Sequence, residues 1–189
     1  MTVSTSHALR ADAEANRLRI LEAAAVVFAE RGMQTSMAEV ARCSRVGLAT
    51  LFRRFPTKEH LLREILADTV GECRAELAEA TRHPDAWVAF QQLISGLAEA
   101  QVDAGRLANE MVSVFLEGEA FSDEAAMVRS VVDDVAARAK ASGHLTPDFS
   151  YADVLLLLRG NAGIIQSAGT DGAQQSRRYV EIMLRSFEA

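Results

Sequence analysis

The chain has 189 residues, enough for one compact unit or two small ones with a substantial buried interior. It is rich in alanine, holds only three prolines, and has no apolar run of the roughly 20 residues that a membrane helix needs; an all-α protein away from the membrane is expected. The net charge of −6 is unevenly divided: residues 1–60 carry nine Arg/Lys against six Asp/Glu, and residues 61–189 carry eleven against twenty. A basic head on an acidic body is the asymmetry expected when one end meets phosphates.

Residues 1–10 are polar and uncapped, which predicts a disordered arm without the apolar segment of a secretory signal. From about Asp12 to Arg31 a helix places Ile20, Leu21, Ala24, Val27 and Phe28 on one face, and Gly32 ends it. Ser36 to Glu39 reads S-x-x-E, a capping box that starts a short helix. Cys43-Ser44-Arg45 breaks that helix, and a second begins near Gly47. Val46 before its cap and Leu51 inside it have the hydrophobic-staple spacing, and Leu51 and Phe55 face inward. Pro56 stops this helix and Thr57 caps the next, which is expected to run unbroken to about Arg82.

Further on, Pro84 is read as the first residue of a helix carrying Trp87, Phe90, Leu93, Ile94 and Leu97. Leu107 to Leu116 adds another apolar segment, and Ser122 opens a helix that ends near Gly143. Pro147 is taken to start the last helix pair. Leu155 to Leu158 is apolar on every side, so this helix needs burial on more than one face. Gly160, Ala162 and Gly163 permit close helix approach, and Val180, Met183, Leu184 and Phe187 form a stripe at i, i+3, i+4 and i+7. Cys43 and Cys73 lack metal-ligand spacing and read as structural thiols of a cytosolic protein.

Two short helices joined by a tight turn, with a third fixed behind them, form the layout of a helix-turn-helix. The positions Ile20, Leu21, Ala23, Ala24, Phe28 and Gly32 begin a pattern that continues through Ser36, Met37, Val40, Ala41, Thr50, Leu51, Phe52 and Phe55 to Lys58, Glu59, Leu61 and Leu62. In that register the first third of the chain resembles the N-terminal domain of the TetR family of transcriptional repressors. Three positions depart from the family pattern. Arg45 stands at a turn position usually held by Gly, Phe52 replaces the frequent Tyr, and Arg54 stands where His is common.

The resemblance implies an all-α fold of about nine helices, with a disordered arm at 1–10, a DNA-binding helix-turn-helix domain at 11–56, and an effector-binding and dimerisation domain at 57–189. It implies DNA contacts from Ser36, Arg45, Gly47, Leu48, Ala49, Thr50, Phe52, Arg53, Arg54 and Lys58. Small residues allow close approach, Leu48 and Ala49 suit thymine methyl groups, and the arginines suit phosphates or guanine. It implies a pocket for a small-molecule effector, for which Trp87, Phe90, Gln91, Asn109, Met111, Phe115 and Met127 are the candidate lining. It also implies a homodimer through the last two helices, bound to a palindromic stretch of double-stranded DNA in the cytoplasm.

No phosphate-binding Gly-rich loop, dinucleotide fingerprint, H-E-x-x-H or G-x-S-x-G occurs, so neither enzyme activity nor a cofactor or metal is expected. The competing reading is a helical dimer that binds a ligand or partner and no longer binds DNA.

Overall fold

The computed structural model of the chain describes residues 3–32, 34–107 and 122–189. Nine α-helices occur among the described residues: α1 (Val3–Arg31), α2 (Met37–Ser44), α3 (Leu48–Arg54), α4 (Lys58–Ile65), α5 (Ala67–Arg82), α6 (Ala86–Ala104), α7 (Ser122–Ala141), α8 (Tyr151–Ser167) and α9 (Gly172–Phe187). The expected all-α architecture is the one present. The helices fall into two compact units, Met1–Ala67 and Asp68–Ala189.

In the first unit α1 packs on α2 and α4, and α2 packs on α3. Ile20, Ala24, Val27 and Phe28 of α1 are buried and Leu21 is half-buried, and Val40, Leu51, Phe55, Leu61 and Leu62 of the following segments are buried as well. Fully burying each large side chain contributes roughly 1.5–3 kcal/mol, which helices of seven or eight residues need because they are marginal alone. α1 starts at Val3, so residues 3–10 continue the helix instead of forming the expected arm. No Gly or Pro interrupts the chain from Val3 to Arg31, and helix propagation adds one hydrogen bond per residue without needing a cap.

The expected long helix from Thr57 is divided at Leu66, whose φ −99° and ψ 11° leave the helical region. The break falls beside the division between the two units, so α4 follows its buried Leu61 and Leu62 into the first unit. That unit therefore runs past the expected boundary at residue 56.

The second unit is built on a core of α6, α7, α8 and α9, with Leu77 and Ala80 of α5. Both proline-based helix starts move inward. Asp85 caps α6, its carboxylate accepting from the N–H groups of Trp87 (2.9 Å) and Val88 (3.0 Å), so Pro84 lies before the helix. Ser150 caps α8 in a capping box with Asp153, which leaves Pro147 in the preceding turn. In each case a side-chain acceptor satisfies N–H groups that a proline leaves open. An aromatic chain runs through the core: Trp87 stacks on Phe90, Phe90 meets Phe149 edge-on, and Phe149 meets Phe187. The end of α9 is tied to the turn after α7, since Thr146 N–H donates to Phe187 O (2.9 Å) and Ala189 N–H to His144 O (3.1 Å).

Gly160 does allow close approach, because a Cβ there would lie 2.4 Å from the Tyr179 hydroxyl. Gly163 has nothing of the chain within 4 Å of that position. No helix among the described residues is long and apolar enough to cross a membrane.

Candidate nucleic-acid interface

The turn between α2 and α3 sets the geometry of the head. Arg45 adopts the left-handed conformation at φ 55° and ψ 39°, the one non-Gly residue with positive φ among those described. Its N–H bonds back to Arg42 O (3.3 Å), and Val46 N–H bonds back to Ala41 O (3.1 Å). This paired closure is a Schellman motif, which satisfies carbonyls at the end of α2. The place usually filled by Gly is thus held in the same conformation by an arginine. A left-handed L-residue costs roughly 1–2 kcal/mol.

α2 is held at its start by Ser36, whose hydroxyl accepts from Glu39 N–H at 3.2 Å. The capping box is only half formed. The Glu39 carboxylate binds Arg31 (2.5 Å) and Arg42 (2.6 and 3.0 Å) instead of the Ser36 N–H. The Arg42 hydrogen bonds, followed by those of Arg31, lower the Glu39 pKa to about 2 despite partial desolvation. Arg42 is thereby engaged inside the head. Gly47 caps α3 without a side chain, and Thr57 caps α4, its hydroxyl accepting from His60 N–H at 3.1 Å.

Of the predicted DNA-facing residues, Gly47, Leu48, Ala49, Phe52, Arg53 and Arg54 are exposed together on and before α3, with Arg45 and Ser36 exposed nearby in sequence. Thr50 and Lys58 are half-buried. Leu51, which was read as core, is fully buried, and so is Phe55 just after the helix. Among the described residues neither Arg45 nor Arg53 has an ion-pair partner, whereas Arg54 lies 3.9 Å from Glu14. Sequence reading missed the contribution of α1. Ala13, Asn16, Arg17 and Ile20 line a cleft of about 270 Å³ together with Thr50, Arg53 and Arg54. Their i, i+3, i+4, i+7 spacing was the available signal. Arg17 itself is bound to Glu64 and, at 3.1 Å, to Glu14. Cys43 is an exposed free thiol on α2 instead of a buried structural one; the side chain of Cys73 lies outside the described residues.

Four of the seven expected effector residues are among those described. Asn109, Met111 and Phe115 lie outside the described residues. Phe90 is fully buried in the aromatic chain, and Met127 is half-buried against the core. Trp87 and Gln91 do come together, lining a surface groove of about 420 Å³ with Arg178, Glu181, Leu184, Arg185 and Glu188. Trp87 also stacks on His144, with centroids 6.4 Å apart.

A buried polar pair went unnoticed in the sequence. Asn161 Nδ2 donates to Gln101 Oε1 (2.9 Å), Gln101 Nε2 donates to Leu158 O (3.0 Å), and Asn161 Oδ1 has no partner among the described residues. Among the described residues no group of three or more His, Cys, Asp or Glu could hold a metal ion.

Residues 20–65 match the model of bacterial regulatory proteins of the tetR family, which spans α2, α3, α4 and most of the apolar face of α1. No curated protein matches the chain. Solved structures share the fold across nearly the whole length. The ketosteroid transcriptional regulator KstR2 of Mycobacterium tuberculosis is 21% identical with a TM-score of 0.65, over 92% of this chain and 95% of that one. The hemolysin II transcriptional regulator HlyIIR is 16% identical with a TM-score of 0.64, over 93% and 98%. The TetR-family regulator PfmR of Thermus thermophilus is 21% identical with a TM-score of 0.59, over 88% and 97%. The N-terminal segment thus matches the tetR-family model, and the chain shares its fold with these regulators.

Proposed function

We propose that the chain is a transcriptional regulator that binds a palindromic DNA site as a homodimer and leaves it when a small molecule binds the second unit. The observation that carries this reading is the exposed face of α3, inside the segment that matches the family model. It offers small and apolar side chains followed by Arg53 and Arg54, behind a turn bearing the unpaired Arg45. Ser36, Gly47, Ala49, Thr50 and Lys58 are the further residues placed at the DNA. The cations position the head on phosphates, and the α3 face meets base edges.

The dimer reading draws support from the second unit. Leu156 on α8 is 61% exposed, on a helical face shared with Gly163, and Ile182 on α9 is 50% exposed. A second copy laid on these helices would cover both. Two-fold symmetry then sets the two α3 helices about 34 Å apart or a multiple of that distance. A ligand acts by favouring a spacing of the heads that no longer fits successive major grooves. Trp87 and Gln91 are the described candidates for its contacts.

The test is binding to the DNA upstream of the protein's own gene, and to duplexes selected from a random pool, beside a scrambled duplex across a salt series. Selective binding whose logarithm falls steeply with the logarithm of salt is expected. Weak binding that ignores sequence in every duplex would sink the proposal.

A further inference from the structure

The surface of α3 is apolar where base edges would be met. Leu48 and Phe52 are 43% and 44% exposed, and one helical turn separates them, so they stand one above the other on a single face. Ala49 is exposed as well. Thr50, the only hydroxyl of the helix, is half-buried and lines the cleft against α1. Residues 48–52 contain no amide, carboxylate or cation, and Arg53 and Arg54 come only in the last turn. Hydrogen-bonding readers such as Asn, Gln or Arg are therefore absent from the first five positions. In the major groove the base-edge group that an apolar side chain recognises is the thymine C5-methyl.

We propose that Leu48 and Phe52 form an apolar ridge that reads thymine methyl groups, and that each half-site carries thymines where the ridge seats. The occupant is duplex DNA because the ridge sits on a net-positive head, between Arg45 and Arg53 in sequence, two cations with no ion-pair partner among the described residues. The inference rests on the DNA-binding reading above and adds which chemistry selects the sequence. Phe52 lacks the hydroxyl that would turn its tip toward a phosphate, so its ring joins Leu48 as a base reader.

The full-length protein is used to select duplexes from a random pool. Each thymine of the selected site is then replaced by deoxyuridine, which removes the methyl and nothing else. Deoxyuridine at the contacted positions is expected to weaken binding about fourfold per methyl, the value of burying one such group. In Leu48→Ala and in Phe52→Ala, that penalty disappears at one group of positions each, while the salt slope stays unchanged because no charge is lost. Both side chains are exposed, so far-UV circular dichroism and melting should match the parent.

Selected sites without thymine, or deoxyuridine tolerated at every position, would overturn the ridge while leaving the regulator reading standing. A methyl penalty that persists in the double variant overturns it as well. Failure to enrich any duplex would remove both readings together. Unchanged DNA binding in the double variant, with an altered sedimentation coefficient, would instead assign the ridge to a protein contact.

Discussion

The two units stabilise helices in different ways. In the first, α2, α3 and α4 are eight, seven and eight residues long, too short to persist alone, and are fixed by the Ser36 and Thr57 caps and the Schellman turn at Arg45. In the second, α6 to α9 run for 16 to 20 residues and rely on a wide apolar core crossed by a chain of aromatic rings. The head is therefore governed by end-group hydrogen bonds and a few fully buried side chains, which leaves its outer surface free to carry function. The body is governed by packing.

The harshest way to break this contrast is to open the head's core. Phe28→Ala, at a position 1% exposed, should cost about 3–5 kcal/mol and abolish DNA binding. The single Trp87 lies in the body, so its fluorescence should report an unshifted transition while circular dichroism shows early loss of helix. A fluorescence midpoint that moves equally would show that the two units unfold as one.

A smaller effect is expected at the arginines of α3. Arg53→Ala should lower the salt slope of DNA binding by about 0.9 for one lost phosphate contact. Arg54→Ala should reduce affinity less, because Glu14 already competes for that guanidinium. Equal losses would mean that the Glu14 contact is not kept when DNA is bound.

Arg45→Gly sharpens the contrast by separating stability from function. Relief of the left-handed conformation gains roughly 1–2 kcal/mol, and the added freedom of glycine in the unfolded chain takes back roughly 0.5–1. A net rise of up to about 1.5 kcal/mol in head stability should accompany weaker DNA binding. A fall in both would mean that the Arg45 side chain holds the turn.

The mildest probe is acid. Glu39 has a folded pKa near 2 against an ordinary value of 4.5, so its contribution is fully present above about 4.5. The unfolded state binds more protons between those values, and stability therefore declines as pH falls from 4.5 toward 2. Glu39→Gln should flatten that part of the head's stability profile; an unchanged profile would assign the slope to other carboxylates, such as Glu64, whose pKa is lowered by Arg17.

The head was legible because its signals are local. The capping residues, the staple spacing, the Leu51 and Phe55 burial and the glycine-like turn at Arg45 all lie within a few residues of one another. What failed there depended on distant partners: the cleft shared with α1, and Glu39 turning to Arg31 rather than to its own cap. In the body, prolines were read as helix starts although Asp85 and Ser150 supply the acceptors one and three residues later. Phe90 belongs to a helical stripe of aromatic residues, and such a stripe does not reveal which of its members face other core side chains. The Gln101–Asn161 pair joins residues 60 apart in sequence, and no spacing rule reaches that far.

Gly160 and Tyr179 work as a notch and a key. The phenol occupies the volume that any side chain at residue 160 would need, and its partial burial also raises the Tyr179 pKa. Filling the notch alone, as in Gly160→Ala, would push the key out of its place against α8. Shortening the key as well, as in Tyr179→Phe, would let it partly reseat. The pair of changes therefore tests the fit itself: stability lost in Gly160→Ala should return in part when the tyrosine hydroxyl is removed with it.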